Sequence, residues 1–577
     1  MLPGPHSIDD IIARVTRETI SPFAGLRAQR FAALSPYFVL MALPFLLLAV
    51  NISWILTYPN TVDGWVYFGF FENPRSYLHA FGGTYYGTRL SWILPGAVVH
   101  QLLPDLPANF VLHIGLYCLG LLAIHSTLKR TAGERAALVT AILLGTYSYY
   151  LYSIGWNYVD GAGIVYYAMA IVAITHAARW PRLRILTVAA GIAFAAAVHT
   201  NILWLALGLP FVDYAVRLRR RGTVAALALD AVALIGGIVL CTAVLGLINV
   251  WLGSGFLFFR PSFAFAASTV LQPSAYHSPG WLLGARWLIF PLAVFISAAV
   301  WRARGIADPI ARAFVDHFLL ACVVFVLLQM AGRPVLERTF SSSYLMPGMA
   351  LAAGALLAAP LGRLSGSQYS AIVIAALVCC VGAYSSPLAS GLYRVLWPFP
   401  FLALALLLVA IGLVARWPRP PAVVGLLLSV SLVTVGTADG LAFDFSGRPT
   451  RLDSFQAILQ ATDVLDDLDP TVSARFWYSE KSQLSGVYEA VSSTRLWGYR
   501  LVGTRFPSLW NPIILRDTTV RAGERVVILS EDPKPLELAA PTLDRIHMSA
   551  TPITERVVED GTIRFHLVVA DLVATAP

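Results

Sequence analysis

Residues 58–104 read YPNTVDGWVYFGFFENPRSYLHAFGGTYYGTRLSWILPGAVVHQLLP. The stretch follows the first long apolar run of the chain. It holds an isolated acid, Asp63, two cations, Arg75 and Arg89, and many aromatic residues, among them Trp65, Tyr67, Tyr85 and Tyr86. Arginine offers a fixed fork of donors to a phosphate, and aromatic side chains settle at head-group depth. At the edge of a bilayer, such a stretch suits an anionic lipid head group.

Composition places the whole chain in that setting. Of 577 residues, 57% are hydrophobic and only 13% are charged, and mean hydropathy is +0.69. A soluble domain carries roughly a quarter charged residues, so a polytopic α-helical membrane protein is predicted. The formal charge of +9 does not gather into a nucleic-acid face. Basic residues fall in short runs between apolar segments, as they do in cytoplasmic loops. Nucleic acid is therefore not an expected partner, whereas membrane lipids and lipid-linked molecules are. The cysteines (Cys118, Cys241, Cys322, Cys379 and Cys380) all sit in apolar runs without metal-ligand spacing. Within residues 1–34, Ile8, Ile11, Ile12 and Val15 recur at helical spacing opposite acids and arginines. That pattern predicts an amphipathic helix on the cytoplasmic face.

A crossing needs about 20 apolar residues and its cytoplasmic end collects Lys and Arg. Residues 35–57 form the first span and lead out to a first outer loop, 58–107. The run 90–103 is short and broken by Pro95-Gly96, so it is expected to lie in the interface. Further spans fall near 108–128, 136–153 and 161–178, with Asp160 in the second outer loop. The apolar stretch 185–216 joins two basic loops and must cross an even number of times. It is expected to form two short helices turning at His199-Thr200-Asn201. Spans then follow near 223–250, 286–301, 316–331, 344–360, 371–387, 396–414 and 422–438. By these rules the membrane domain, 35–438, has about thirteen spans, an inner N-terminus and an outer C-terminus. Residues 439–577 change to soluble composition. An amphipathic helix at LDSFQAILQATDVLDDL, strand-like ARFWY, RVVILS and IRFHLVVADL, and a turn at Asp560-Gly561 predict a small extracytoplasmic α/β domain. It contains no phosphate-loop or dinucleotide motif.

This threading brings Asp63, Asp160, Arg89, Arg260, His277 and Arg338 to one face, with His199 at the hairpin apex. Nucleotide-activated sugars are cytoplasmic, so chemistry on the outer face needs a donor already in the membrane. A polyprenyl-phosphate sugar is one, because its phosphate leaves readily once arginines neutralise it. What remains is a base for an acceptor hydroxyl, which a positioned carboxylate can supply.

These residues and their order resemble the GT-C superfamily of membrane glycosyltransferases, particularly its protein mannosyltransferase and aminoarabinose lipid A transferase branch. The resemblance implies a GT-C-like membrane domain, an inverting hexosyl- or pentosyltransferase activity and a polyprenyl-phosphate-linked sugar donor. The acceptor would be a lipid, a polysaccharide or a protein. By position, Asp63 matches the family's first-loop catalytic acid and Asp160 its second acid. Arg338 and Tyr344, in RTFSSSYLMP, resemble the later outer motif, and His199 lies where relatives carry a polar residue. Arg89, Arg338, Tyr344, His199 and Arg260 are thus the expected donor-phosphate contacts. Asp63 is followed by Gly64 and not by the glutamate of the mannosyltransferase branch. Some branches use a divalent cation; the isolated acids here argue against a tightly held metal, so no metal ligands are assigned. The expected location is a bacterial plasma membrane. Two other readings use the same features. A transporter or flippase of a lipid-linked saccharide would place its charges at the midplane and show repeats, and a scaffold would merely present the C-terminal domain.

Overall fold

Inside a bilayer the backbone must satisfy its own N–H and C=O groups, so long apolar runs close into helices. The computed structural model describes residues 36–59, 61–180, 183–219, 223–271, 285–333, 335–385, 391, 394–396, 398–437, 450–466, 474–478, 482–494, 499–500 and 521–575. The amphipathic helix expected within 1–34 and the loop residue His277 lie outside these. Among the described residues, seven helices are long and apolar enough to cross a membrane: Asp105–Thr131, Val159–Arg179, Val224–Trp251, Arg286–Ala303, Pro309–Met330, Thr339–Gly362 and Pro420–Thr437. The bent pair Glu134–Gly145 and Ser148–Gly155 makes an eighth if it is one span. The expected spans 35–57, 371–387 and 396–414 correspond to the shorter helices Pro36–Val50, Gly366–Gly382 and Pro400–Arg416. The two later helices, of 17 residues each, rise about 26 Å, near the lower limit for a spanning helix. Among the described residues, seven or eight helices thus have the length and hydropathy of a full crossing, and the described part of the first expected span begins at Pro36.

The span expected at 136–153 is bent by 63° between its two helices. The cause is lateral capture of its carbonyls. Tyr117 Oη donates to the Gly145 carbonyl at 2.9 Å, and the Tyr384 hydroxyl donates to the carbonyl of Thr146. With those acceptors engaged by neighbouring helices, the i to i+4 ladder is free to break there. The hairpin expected at 185–216 is present as Ile185–Thr200, a 3-10 turn Ile202–Leu207 and Gly208–Leu218. Asn201 makes the break: its backbone is extended and its side chain accepts from Leu203 N at 3.1 Å. At the basic end of the bundle, Asp316 takes Arg217 Nη1 at 2.7 Å and Arg302 Nε at 2.8 Å, tying three helices together.

The first loop folds as the helices Val62–Glu72, Pro74–Phe81 and Leu90–Leu102. Beyond the membrane domain lies a five-stranded sheet, with β1 (Ala474–Tyr478), β2 (Tyr499–Arg500), β3 (Arg525–Ser530), β4 (Met548–Asp560) and β5 (Ile563–Ala574) in the order β2-β1-β3-β5-β4. β1 runs parallel to β2 and β3, while β5 is antiparallel to β3 and β4. The helices Arg451–Asp466, Ser485–Thr494 and Pro535–Arg545 complete the α/β domain. The expected turn at Asp560-Gly561 joins β4 to β5, with Gly561 at φ +54°. β4 itself was not expected, because its sequence, MSATPITERVVED, is polar and carries a proline. It is the outer strand of the sheet, mostly exposed, where polar residues and proline are tolerated.

This domain rests on the helix that carries Asp63. Phe455 packs 5.2 Å from the Trp65 ring centroid, and Tyr77 Oη donates to the carbonyls of Ser493, at 3.0 Å, and Thr494. Arg451 Nη1 donates to Ser53 O at 3.2 Å. Gly69 faces the Tyr77 ring and the Thr494 carbonyl so closely that a Cβ there would collide with both. Gly69→Val is expected to cost about 1–3 kcal/mol by overpacking and to loosen the domain. Faster proteolytic release of the C-terminal domain from the detergent-solubilised protein, with a lower Tm, would be the readout.

Candidate active site

Asp63 lies in the first turn of Val62–Glu72, where the positive end of the helix favours a carboxylate. Its Oδ1 accepts from the Tyr86 hydroxyl at 2.6 Å. Gly64 shows why no second acid follows here. A side chain at that position would press on the Thr57 methyl group, with Thr61 Oγ1 and the Asn157 backbone close behind. Asn157 N in turn donates to Thr57 Oγ1 at 2.9 Å. Absence of a Cβ therefore lets the first loop lie against the start of the Val159–Arg179 helix. Burial pushes the Asp63 carboxyl above the usual carboxylate range, opposed by the Tyr86 hydrogen bond and the charge of Arg89.

Asp160 occupies the first turn of that second helix and is 1% exposed. Among the described residues, neither of its carboxylate oxygens has a hydrogen-bond partner. The charges that act on it are those of Arg89 and Asp63, so the two acids and the cation share one field. Arg89 caps the Leu90–Leu102 helix and is 6% exposed. Four rings surround its guanidinium: Tyr85 at 4.9 Å, Tyr158 at 5.0 Å, Tyr67 at 5.6 Å and Tyr86 at 5.9 Å. Ring faces attract a cation without neutralising it, and among the described residues Arg89 Nη1 has no acceptor. The Tyr85 hydroxyl is pushed up to about 12, mainly by burial, so the rings around the cation stay neutral.

Tyr344, from the helix Ser342–Gly362, joins the same group. It is buried, Asp160, Tyr158 and Arg89 act on its hydroxyl, and that hydroxyl has no hydrogen-bond partner among the described residues. Its ring lies 4.7 Å from Trp204, which the hairpin apex brings in. Unpartnered buried polar atoms are rare in folded proteins. Here Asp160, Arg89, Tyr344 and Tyr67 supply acceptors and donors within one site. The arrangement offers a donor to an anion at Arg89 and acceptors to a hydroxyl at the carboxylates.

The remaining predicted residues stand differently. His199 is close to this group: its Nε2 is 2.9 Å from Thr242 Oγ1, and it lines a small pocket with Thr88, Asn201 and Ser262. Arg260 is exposed at the start of the helix Arg260–Leu271. Arg338 is exposed too, with its guanidinium 5.7 Å from the Phe340 ring. Sequence reasoning did not single out Tyr86, Tyr158 or Trp204 as site residues. The run Thr84-Tyr85-Tyr86-Gly87-Thr88-Arg89 and the pair Tyr158, Asp160 were the available signals, hidden among many similar aromatics. Among the described residues, no three His, Cys, Asp or Glu side chains come together to hold a metal ion.

Deeper in the bundle, a cavity of about 170 Å³ is lined almost wholly by apolar groups, including Leu144, Tyr147, Phe290, Met349, Leu407 and Val430. Met349 is on the Tyr344 helix, so that one helix lines the cavity and also supplies a hydroxyl to the charged site.

No family model matches the chain, and no curated protein matches it. Among solved structures it is similar to ArnT from Cupriavidus metallidurans bound to undecaprenyl phosphate, at 16% identity and a TM-score of 0.50. That likeness covers 95% of this chain and 100% of ArnT. The apo state of the same protein matches at 16% identity and a TM-score of 0.50, covering 96% of this chain and 100% of the other. The archaeal oligosaccharyltransferase AglB from Archaeoglobus fulgidus, in complex with an inhibitory peptide and a dolichol-phosphate, aligns at 14% identity over 81% of this chain and 64% of its own. Its TM-score of 0.40 is too low to bear on the fold. The membrane bundle, the helical first loop and the terminal α/β domain together share the fold of ArnT, over nearly the whole of both chains.

Proposed function

We propose that the protein is an inverting glycosyltransferase that moves a sugar from a polyprenyl-phosphate carrier to an acceptor hydroxyl at the outer face of a bacterial plasma membrane. The observation that carries this reading is the convergence of Asp63, Asp160 and Arg89 in one buried, tyrosine-walled site. In this reading Asp63 removes the proton as the acceptor oxygen attacks the anomeric carbon from the face opposite the phosphate. The bond from that carbon to the phosphate oxygen breaks, and the electron pair leaves on the polyprenyl phosphate. Arg89, with its unused Nη1 donor, receives the growing negative charge. Asp160 orients the acceptor, and Tyr344 gives the donor phosphate a second hydrogen bond. Arg260, Arg338 and His199 are assigned to the donor phosphate as outer contacts. The apolar cavity suits part of the isoprenoid chain. A divalent cation at the two acids stays within this proposal, and its effect is read by adding a chelator. The outer location is supported by the C-terminal domain, which packs on the Asp63 loop, while Arg217 and Arg302 stand in the last turns of their helices, beside basic runs of the kind that favour the cytoplasm.

The test is sugar transfer by purified protein from a panel of polyprenyl-phosphate sugars. Asp63→Asn keeps the shape of the side chain but cannot take a proton, so transfer should fall about 10²–10⁴-fold with no change in Tm. Full activity in that variant would end the reading. Arg89→Lys retains charge but loses the guanidinium fork, and transfer should drop on the order of 100-fold. The pH dependence follows from the sign of the Asp63 shift. Only the ionised carboxylate accepts a proton, and burial raises its pKa. Activity should therefore be lost as pH falls, with a midpoint above that of an ordinary exposed aspartate. A flat profile down to the usual carboxylate range would contradict the assignment.

A further inference from the structure

Asp63 is held by a group that also belongs to the cage around Arg89. Tyr86 is fully buried, and its hydroxyl donates to Asp63 Oδ1 at 2.6 Å. Its ring stands 5.9 Å from the Arg89 guanidinium and 4.1 Å from the Tyr85 ring, and packs 5.8 Å from Tyr67 and 6.2 Å from Phe81. A ring fixed on so many sides leaves the hydroxyl little freedom, so the hydrogen bond fixes the carboxylate. With Oδ1 engaged by a donor, Oδ2 is the oxygen left for an acceptor proton.

We propose that Tyr86 is a positioning residue that couples the anion site at Arg89 to the proton-accepting carboxylate of Asp63. The proposal rests on the glycosyltransferase reading only for its kinetic test, because the coupling itself is a property of the three side chains. One phenol serves both partners: its oxygen orients the base while its ring helps to wall in the cation. A hydrogen bond donated to the ionised carboxylate stabilises that form, whereas burial opposes it. The other groups that face Asp63 act in known directions. Arg89 favours the ionised form, the Asp160 carboxyl lies in the same field, and Tyr67, Tyr85, Tyr152 and Tyr158 face it as phenols. Removing the Tyr86 donor leaves Arg89 as the group that opposes burial.

Tyr86→Phe removes one oxygen and retains the ring. Two measurements are made on the full-length protein in detergent. In the first, the acid limb of the pH dependence of kcat/KM for transfer should move upward by about one pH unit, the worth of a hydrogen bond to a charged group. Binding of undecaprenyl phosphate, which contains no sugar, should stay within about twofold, because the ring is kept. In the second, the carboxylic C=O stretch of Asp63, identified by its loss in Asp63→Asn, is titrated by infrared difference spectroscopy. Its midpoint should rise by the same amount in Tyr86→Phe. The infrared titration decides the matter whether or not a sugar donor is found. An unchanged midpoint would overturn the coupling, even where kcat had fallen through a merely structural defect. Failure of Asp63→Asn to impair transfer would instead strike the glycosyltransferase reading and leave the infrared result standing.

Discussion

A buried guanidinium is among the costliest groups a membrane protein can hold, and in this structure Arg89 makes that cost part of the site. Its charge is met by four tyrosine faces and by the field of two carboxylates, and not by a tight ion pair. Ring quadrupoles stabilise a cation while leaving its N–H donors available. A direct bidentate pair with Asp63 would have quenched both groups. The tyrosine cage keeps cation and carboxylate near one another yet chemically distinct, which the proposed transfer would need.

The elements that hold this cage come from distant parts of the chain. Arg89 and Tyr86 stand just before the last helix of the first loop, Tyr158 and Asp160 begin one helix, and Tyr344 and Trp204 arrive from a later helix and from the hairpin apex. Close backbone approaches replace side-chain bulk at the joints. Gly64 admits the 156–157 segment, Gly161 lies against the Ser153 carbonyl, and Gly163 faces the Trp204 indole. Each of these glycines lies within three residues of a proposed catalytic acid, so packing and chemistry are specified together.

Much of this was legible from sequence because ionisable residues are scarce in an apolar chain. Asp63, Arg89 and Asp160 stand out, and charge with length locates the hairpin at His199-Thr200-Asn201. The turn at Asp560-Gly561 announces itself by residue type. Other features had no local signal. The bend near Thr146 depends on Tyr117 and Tyr384, whose role as acceptor-capturing neighbours exists only in the packed bundle. Tyr86 could not be told from the other aromatics of its loop, since all have similar reasons to sit at an interface. The helix Pro400–Arg416 carries the hydropathy of a span with only 17 residues, a distinction that apolar content alone blurs.

The contact between Tyr77 and the carbonyl of Ser493 joins points 416 residues apart in the chain. The helix bearing Asp63 is thus gripped from two directions: the Leu90–Leu102 helix meets it through Trp92 against Phe71, and the C-terminal domain meets it through Phe455 against Trp65. A chain without residues 439–577 would keep the first grip and lose the second, so the acid's seat is complete only where the two ends of the polypeptide have folded against one another.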